Sequence, residues 1–315
     1  MIITGANFDH FAYVHLFLKS LRENAAYLGK VVVCDNRIQG RWNFPGKILA
    51  GKSFTPEQES IILGYGGEIV QYDELLKERK ITLDSIDRVP SATVRLPHKF
   101  VYSALIAGKY AQNDEVVIYF DSDVFFQKPI DDLFQDCSGD GIFMSNENNY
   151  VKNVSLFKQW IEYSDFSFSM DQIKYIEKME FSEIYCTGFI AGKKDHFHGF
   201  MTLCWLLSSN QFVRFFSDQP LVNILRKMLA FPISEISREK VCHVGSVQAK
   251  SIECLLGKIL VDGVIPNVLH FNGEKINAAT LLRFYNIPEK IPPQTVRSKS
   301  YVQIIKKILR SLLKS

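Results

Sequence analysis

The sequence lacks any long apolar run: nowhere among its 315 residues do about 20 uncharged apolar residues stand together, as a transmembrane helix requires. Its opening stretch, MIITGANFDH, also lacks the basic and apolar regions of a secretory signal peptide. We therefore expect a protein that neither spans a membrane nor is secreted. These absences predict a cytoplasmic location.

Cysteine is also scarce, with six residues in the whole chain and no CxxC pair. The six stand far apart in the sequence: Cys34, Cys137, Cys186, Cys204, Cys242 and Cys254. Disulfide frameworks and common zinc motifs bring cysteines to short, regular spacings, and a reducing cytosol keeps isolated thiols free. The pattern therefore predicts buried, structural thiols.

A large excess of charge of one sign is missing too, because 37 Lys and Arg balance 34 Asp and Glu to a net charge of +3. Such a small excess does not indicate nucleic acid as a partner. With 47% hydrophobic and 23% charged residues, the composition is that of a globular chain with a sizeable core. The length suits about one or two domains.

What the first half does contain is an alternation of strand-like and helix-like stretches. The predicted strands cover 1–4, 30–34, 68–72 and 115–120, and the predicted helices cover 11–24 and 99–110. This alternation predicts an α/β fold with a mostly parallel central sheet flanked by helices. In such sheets, ligands bind at the carboxyl ends of the strands.

The second half has a mixed pattern. Its predicted strands cover 141–145, 186–191 and 264–271, and its predicted helices cover 197–208 and 219–230. The composition then changes sharply at Pro288, Pro292 and Pro293. Because proline interrupts both helices and sheet ladders, we expect the globular body to end near residue 287.

The tail that follows, residues 297–315, carries six basic side chains and no acidic one. Apolar residues such as Tyr301, Ile305, Ile308 and Leu312 recur at helical spacing, which predicts a basic amphipathic helix. Such a helix either docks its apolar stripe on the body or binds an anionic membrane surface, where each basic residue adds on the order of 1 kcal/mol. We favour membrane binding. The protein would then be peripheral on the inner face of the membrane.

The segment VIYFDSDVFF places Asp121 and Asp123 one residue apart, at the end of an apolar strand. Once a loop breaks the up-down alternation of a strand, two such carboxylates can face one point. Hard divalent cations such as Mn²⁺ and Mg²⁺ take carboxylate oxygens and keep positions open for phosphates. The pair therefore predicts half of a metal-diphosphate site, although a capped turn with one solvated Asp would explain the same residues.

The longer segment VVIYFDSDVFFQKPIDDLF resembles the DxD region of nucleotide-sugar glycosyltransferases with the GT-A fold. The resemblance is closest to family 8, which includes glycogenin and bacterial lipooligosaccharide galactosyltransferases. It implies a Rossmann-like catalytic domain over residues 1–287, with a nucleotide-binding part to about residue 136 and an acceptor part over about 137–287. It also implies a UDP-sugar donor, Mn²⁺ or Mg²⁺, and retention of anomeric configuration.

Two further segments resemble the same family in the expected order. LPHKFVYSALIAGKY is similar to the helix whose basic residue reaches the donor, which implies Lys99, with Arg95 as its competitor. FSDQPLVNIL resembles the family's Asp-Gln helix start, which implies Asp218 and Gln219 on the sugar side. Asp218 is equally explained as a helix N-cap, a position where Ser217 would also serve.

The segment VLHFNGEKI resembles the family's late histidine loop. The resemblance implies that His270 joins Asp121 and Asp123 on the metal, and that Gly273 and Lys275 contact the diphosphate. The family usually continues with Pro-Trp, whereas this chain has Ile-Asn at 276–277. A lone histidine after an apolar strand is also commonly structural, so the geometry of this loop stays open.

The nucleoside is expected across the carboxyl ends of the first two strands. Ala6, Asn7 and Asp35 stand at those ends, and Phe8 offers a ring for stacking. Ser122, between the two aspartates, completes the expected donor contacts.

The resemblance therefore predicts a metal-dependent hexosyltransferase that uses a nucleotide-sugar donor and a glycan or lipid-linked acceptor. A different class, the haloacid dehalogenase-type phosphatases, also places Asp-x-Asp after an apolar strand, with Asp121 as nucleophile and Asp123 as acid/base. That class expects a downstream acidic pair, which the sequence after residue 137 does not offer. A non-catalytic protein that binds nucleotide sugars or glycans is a third hypothesis.

Overall fold

A seven-stranded sheet forms the centre of the chain in the computed structural model. The structure describes residues 1–36, 41–43, 47–49, 52–81, 98–147, 184–208, 218–228, 231–245, 247, 249–272 and 276–288. Arg95, Gly273, Lys275 and the predicted tail helix over 297–315 lie outside the described residues. No helix within the described ranges is both long enough and apolar enough to cross a membrane.

The strands and helices follow one another in the order of a mixed α/β chain. The strands are β1 (Ile2–Ala6), β2 (Val31–Asp35), β3 (Arg41–Asn43), β4 (Lys47–Leu49), β5 (Gly67–Gln71), β6 (Val116–Phe120), β7 (Val124–Phe126), β8 (Ile142–Asn146), β9 (Tyr185–Lys193), β10 (Ile233–Ile236), β11 (Val241–His243), β12 (Ile252–Leu255), β13 (Lys258–Val261) and β14 (Val268–His270). The helices are α1 (Phe11–Glu23), α2 (Pro56–Gly64), α3 (Tyr72–Glu78), α4 (His98–Tyr110), α5 (Asp131–Asp136), α6 (Lys194–Ser208), α7 (Asp218–Met228) and α8 (Ile276–Phe284). A short 3-10 helix, Phe8–His10, joins β1 to α1.

The central sheet has the strand order β10-β8-β9-β6-β1-β2-β5. Four of its pairings are parallel, namely β10 with β8, β6 with β1, β1 with β2, and β2 with β5. Strand β9 runs antiparallel to both of its neighbours, β6 and β8. The predicted α/β class with a mostly parallel sheet is therefore confirmed.

Helices cover both faces of this sheet and bury its apolar strands. In α1 the residues Val14, Phe17, Leu18 and Leu21 recur at the i, i+3, i+4, i+7 spacing and pack in the core cluster on one face. Helix α4 is buried along most of its length in the cluster on the other face. Coverage on both sides explains why the inner strands are continuous apolar runs rather than alternating ones.

A second, three-stranded sheet crosses the carboxyl edge of the first. Its order is β11-β14-β7, with β14 antiparallel to β7 and parallel to β11. In this register His270 lies opposite Val124 on one side and opposite His243 on the other. Because β7 directly follows the DSD turn, this sheet carries His270 to the two aspartates.

The predicted elements correspond to observed ones, with shifts of a few residues at their ends, and one differs substantially. The last strand was predicted over 264–271, but β14 covers only Val268–His270. Val264 instead forms an isolated bridge with Val261, because a turn at Asp262 and Gly263, both at positive φ, reverses the chain there. The predicted buried thiols are confirmed for five cysteines, whereas Cys254 is exposed, and all six are free.

Candidate active site

Asp121 and Asp123 lie on the turn between β6 and β7, at the carboxyl edge of the central sheet. Backbone bonds fix this turn on both sides. The amide of Asp121 donates to the carbonyl of Gly188 (3.0 Å), and the amide of Phe271 donates to the carbonyl of Asp123 (3.1 Å). Both carboxylates are partly buried, at 29% and 30% side-chain exposure, so they remain reachable from solvent.

His270 faces both carboxylates with one edge of its ring. Its Nε2 lies 3.2 Å from Asp123 Oδ1 and 3.6 Å from Asp121 Oδ2. Burial opposes the charged form of His270, but Asp123 and Cys186, through their charges and hydrogen bonds together, outweigh burial and raise the pKa of the imidazole well above its usual value. Burial likewise opposes ionisation of Asp123, whose pKa is nevertheless lowered by the charge and hydrogen bond of His270.

The other ring nitrogen of His270 points into the protein interior. Its Nδ1 lies 3.0 Å from His243 Nδ1 and 3.5 Å from Cys186 Sγ. His243 Nε2 in turn lies 2.5 Å from the hydroxyl of Ser145. A chain of buried polar contacts therefore runs inward from the carboxylate pair to β8.

Gly188 leaves the space that the ring of His270 occupies. A Cβ at this position would lie 2.1 Å from His270 Cε1 and 2.4 Å from Nδ1, which is far inside any real contact. The ladder between β8 and β9 is irregular here, because Met144 pairs with Ile190 while the next residue, Ser145, pairs with Cys186. Residues 187–189 of β9 therefore lie between these two pairs without a partner on β8.

Lys99 forms the opposite wall of the site. Its Nζ lies 3.1 Å from Asp121 Oδ1, 3.2 Å from the carbonyl of Thr187 and 3.3 Å from the Thr187 hydroxyl. It also forms an ion pair with Asp218, and that carboxylate accepts a short hydrogen bond from the Thr187 hydroxyl. Lys99 is thus shared by two carboxylates from distant parts of the chain.

The charged groups around Lys99 stabilise one another's ionised forms despite burial. Burial opposes the charged form of Lys99, but the charges of Asp121 and Asp218 outweigh burial and raise its pKa. Burial also opposes ionisation of Asp218, and Lys99 outweighs burial and lowers the pKa of that carboxyl. The structure places Lys99 between the two acids, and its contact with the donor stays a prediction of the resemblance.

Two tyrosines extend the Asp121 contacts into the core. The Tyr119 hydroxyl donates to Asp121 Oδ1 (2.6 Å) and lies 3.2 Å from the hydroxyl of Tyr102. Burial raises the pKa of Tyr119, and the nearby Asp121 charge raises it further. Tyr119 therefore stays a neutral donor and fixes the orientation of the Asp121 carboxylate.

The predicted nucleoside contacts lie on the neighbouring strands of the same edge. Ala6 ends β1, and Asn7 caps the 3-10 helix that follows, where its Oδ1 accepts from the amide of Asp9 (3.1 Å) and lies 2.9 Å from His10 Nδ1. Phe8 is half-buried and anchored by its amide, which donates to the carbonyl of Lys52 (3.0 Å). His10 is close enough to Asp123 to lower the pKa of that carboxyl slightly, so this helix borders the acidic pair.

Asp35, at the end of β2, is placed deeper than the sequence suggested. Its side chain is fully buried, and Oδ2 accepts from the amide of Phe54 (3.2 Å). Burial raises the pKa of this carboxyl, while the Phe54 bond partly offsets the rise. As placed, Asp35 anchors the segment that leads into α2, beside the Ala6 end of β1.

Asp121, Asp123 and His270 fit a divalent cation. One ligand atom from each of the three lies within 4.8 Å of the others. Two carboxylates and an imidazole suit Mn²⁺ by ligand type, and the partial exposure leaves room for substrate oxygens. Ser122 lies between the acids, and Gln219 lies beside Asp218 in the first turn of α7.

Sequence reasoning missed several side chains that the structure brings to this edge. They are Tyr119, Thr187, Cys186, His243 and Ser145. Tyr119 lies within the quoted VIYFDSDVFF segment, so its closeness to Asp121 was a usable signal. His243 and Ser145 stand in ordinary apolar strands, and nothing in their local sequence distinguishes them.

Comparisons with known proteins identify the fold. No protein-family model matches the chain, and no curated protein sequence matches it. Among solved structures, the galactosyltransferase LgtC, in complex with donor and acceptor sugar analogues, is similar with a TM-score of 0.53 at 13% identity, over 93% of this chain and 97% of that one. Mouse xyloside xylosyltransferase 1, in its apo form, has a TM-score of 0.53 at 9% identity, over 86% of this chain and 97% of that one.

A third structure, the bifunctional glycosyltransferase WbbM in its apo form, has a TM-score of 0.50 at 11% identity, over 91% of this chain and 51% of that one. At such identities the likeness shows the fold and no more. The chain therefore has the GT-A fold that its DSD segment resembled. This agrees with the Rossmann-like arrangement of its central sheet.

Proposed function

We propose that this protein is a metal-dependent glycosyltransferase that moves a hexose-type sugar from a UDP-sugar to a glycan or lipid-linked acceptor, with retention of configuration. The observation that carries the proposal is the convergence of Asp121, Asp123 and His270 at the carboxyl edge of a GT-A-type sheet. Neither a GT-A fold nor an acidic pair would suffice alone, because folds host many functions and Asp-x-Asp is common by chance. Their coincidence at one edge supports the assignment.

Asp121, Asp123 and His270 would hold Mn²⁺ or Mg²⁺. A bound cation supplies positive charge that offsets the negative charge developing on the departing diphosphate. The chain's own contribution is to fix the three ligands before substrate arrives. Tyr119 and Lys99 orient Asp121, while the backbone bond from Phe271 holds the Asp123 end of the turn.

The donor would lie along the edge from β2 to the acidic turn. Ala6, Asn7 and Phe8 would contact the nucleoside, with Asp35 positioning the adjoining segment. Ser122 lies where the turn would meet the diphosphate. Gly273 and Lys275 retain their expected role as diphosphate contacts, which is a proposal drawn from the late histidine loop alone.

Asp218 and Gln219 would face the sugar. Lys99 keeps Asp218 ionised, so its carboxylate accepts hydrogen bonds and does not donate them. An ionised acceptor held in place by Lys99 and Thr187 can favour sugars that present a hydroxyl donor at a defined position. The acceptor part over about 137–287 and an anionic membrane contact through 297–315 complete the proposal.

The decisive experiment is a donor screen with purified protein, Mn²⁺ and a panel of UDP-sugars, with UDP release as readout. Asp123→Asn removes a charge without changing volume, and we expect a loss of about 10²-fold or more. Asp140→Asn is the matched control, because Asp140 is 83% exposed and its surface ion pair with Lys193 contributes little. Full UDP release by Asp123→Asn would rule the proposal out.

The same screen separates the alternatives. Phosphate release from p-nitrophenyl phosphate without turnover of any UDP-sugar would favour the phosphatase reading of Asp121 and Asp123. Thermal stabilisation by UDP with Mn²⁺ but no turnover of any donor would favour a non-catalytic binding protein.

A further inference from the structure

Three buried metal-ligating side chains meet directly behind the acidic pair. The Sγ of Cys186, the Nδ1 of His243 and the Nδ1 of His270 lie within 4.8 Å of one another. Each side chain belongs to a residue at most 3% exposed. We call these three residues the inner cluster.

The distances within the inner cluster match those of a zinc site. The two Nδ1 atoms are 3.0 Å apart, and the sulfur lies 3.5 Å from His270 Nδ1. A tetrahedral zinc with ordinary bond lengths separates two nitrogens by roughly 3.3 Å and a nitrogen from a sulfur by roughly 3.6 Å. These two distances therefore need only small shifts to reach those of a zinc site, and the third pair, Cys186 Sγ and His243 Nδ1, lies within 4.8 Å.

The second nitrogens of both histidines are arranged as in metal-bound imidazoles. A ligating histidine usually donates its other N–H to a carboxylate or another oxygen, which fixes the ring and its tautomer. Here His243 Nε2 meets the Ser145 hydroxyl at 2.5 Å, and His270 Nε2 meets Asp123 Oδ1 at 3.2 Å. Both rings therefore present Nδ1 to the inner cluster with their remaining nitrogens satisfied.

We propose that the inner cluster is a second cation site that takes Zn²⁺ through Cys186, His243 and His270, with the fourth position open to water. Thiolate and imidazole select this borderline-soft ion, whereas the carboxylate pair suits harder ones. On binding, the thiol proton of Cys186 and any proton on the two Nδ1 atoms pass to solvent, and the thiolate stays on the metal. The inner site itself does not depend on the proposed transferase chemistry, whereas its competition for His270 rests on the metal site of the proposed function.

The two sites compete for His270. A neutral imidazole offers one lone pair, so His270 binds the inner ion through Nδ1 while Nε2–H donates to Asp123, or it serves the acidic pair through Nε2. Zn²⁺ in the inner cluster would therefore weaken Mn²⁺ binding at Asp121 and Asp123. Zn²⁺ in the inner cluster would thus inhibit metal binding at the outer site, formed by Asp121, Asp123 and His270.

Cobalt substitution tests the inner cluster without any activity measurement, because a thiolate bound to Co²⁺ gives a charge-transfer absorption that oxygen ligands do not. We expect one equivalent of Co²⁺ to produce this band in the full-length protein and one equivalent of Zn²⁺ to abolish it. Cys186→Ser should lose the band, and His243→Asn should weaken Co²⁺ binding about tenfold or more. Circular dichroism would verify that both variants are folded.

The controls are two other thiols and one carboxylate. Cys242→Ser and Cys254→Ser should both keep the band. Cys242 is next to His243 in the sequence but packs among apolar core residues outside the inner cluster, and Cys254 is exposed. Asp121→Asn should keep it too, because it alters only the outer site. No band in the wild type, or a band that survives Cys186→Ser, would overturn the proposal.

The competition for His270 is tested by counting free Mn²⁺ from its paramagnetic resonance signal. One equivalent of Zn²⁺ should weaken Mn²⁺ binding at Asp121 and Asp123 about tenfold or more in the wild type. This is the size of effect that perturbing a metal ligand usually has. The same addition to Cys186→Ser should have a smaller effect. Equal effects in both proteins would show that His270 is not shared.

Discussion

Asp121 stands between two clusters that give it a positive neighbour in different ways. On one side Lys99 contacts Asp121, Asp218 and Thr187 together. On the other side His270 contacts the carboxylate pair with one nitrogen and the protein interior with the other. The ammonium group of Lys99 has no lone pair to give, so Lys99 itself supplies no metal ligand.

The difference shows how one edge of the sheet can hold both a fixed counter-charge, Lys99, and a side chain whose charge and ligand can change, His270. A lysine between two acids is a permanent counter-charge, and removing it leaves two partly buried carboxylates without their shared cation. A histidine beside the same acids can be cation, neutral donor or metal ligand, depending on what is bound. We therefore expect perturbations of the Lys99 side to affect stability, and perturbations of the His270 side to affect binding.

Removing Lys99 should have the largest effect on stability. Lys99→Met keeps the aliphatic length but leaves Asp121 and Asp218 without their shared cation, and because the pairs are partly exposed we expect a loss of about 1–3 kcal/mol, between the values for exposed and buried pairs. Urea unfolding followed by circular dichroism measures the loss. The double variant Lys99→Met/Asp218→Asn should lose less than the sum of the two single variants. Strict additivity would mean that the two side chains do not interact.

Metal addition should stabilise through the His270 side alone. At free Mn²⁺ about 100 times its Kd, we expect about 2.7 kcal/mol of added stability, read as a rise in Tm. His270→Ala and Asp123→Asn should lose this rise. Lys99→Met, although less stable, should keep most of it. Equal Mn²⁺ responses in all variants would place the cation elsewhere.

Crowding the ring of His270 should weaken binding with little change in charge. In Gly188→Ala the new Cβ would lie 2.1 Å from His270 Cε1, so the ring must move, and we expect metal affinity to fall about 10–100-fold. Isothermal titration with Mn²⁺ measures the change. The matched control is Gly199→Ala, where the Cβ meets nothing within 4 Å. Wild-type affinity in Gly188→Ala would contradict the placement of the ring.

The smallest effect is expected at His98, a buried histidine that, unlike His270, has no carboxylate partner within the part of the chain that the structure describes. Burial lowers its pKa to about 4, below the unfolded value of 6.5, and Tyr72 bonds its Nδ1 at 3.1 Å. As pH falls from about 6.5 towards about 4, the unfolded chain binds this proton first, so stability present at neutral pH is lost. Between pH 7 and pH 5 the loss should be on the order of 1–2 kcal/mol.

The His98 contribution is the difference between two urea titrations. His98→Asn keeps a hydrogen-bonding group for Tyr72 but cannot titrate, so its stability should fall less between pH 7 and pH 5. The exposed His196 supplies the control His196→Asn, which should fall as the wild type does. Identical slopes in His98→Asn and wild type would show that His98 is not kept neutral by burial.

Local sequence predicted the sheet and the acidic turn well. Strands β1, β2 and β6 are short apolar runs bounded by polar residues, and their carboxyl ends meet because parallel strands share a direction. Helix α2 was missed although Thr55 and Gln58 form a capping box around Pro56. A Thr-Pro-Glu-Gln run of this kind is a helix-start signal that local sequence carries.

The inner half of the site could not be predicted in the same way. Cys186 and His243 reach His270 across 84 and 27 residues respectively, and the contacts depend on how the small sheet crosses the large one. The scattered cysteine spacing was interpreted as evidence against zinc. Spacing rules detect ligands that share one loop, whereas these three stand on three strands.

Strand β9 serves both sides of Asp121 with three consecutive residues. Cys186 and Gly188 face His270, while Thr187 faces Lys99 and Asp218. A slip of this strand by one position would exchange the two faces and empty both clusters at once. Inserting or deleting a single residue here should therefore abolish the counter-charge and the metal ligand together, so evolution can retune either cluster by substitution but not by changing the length of this strand.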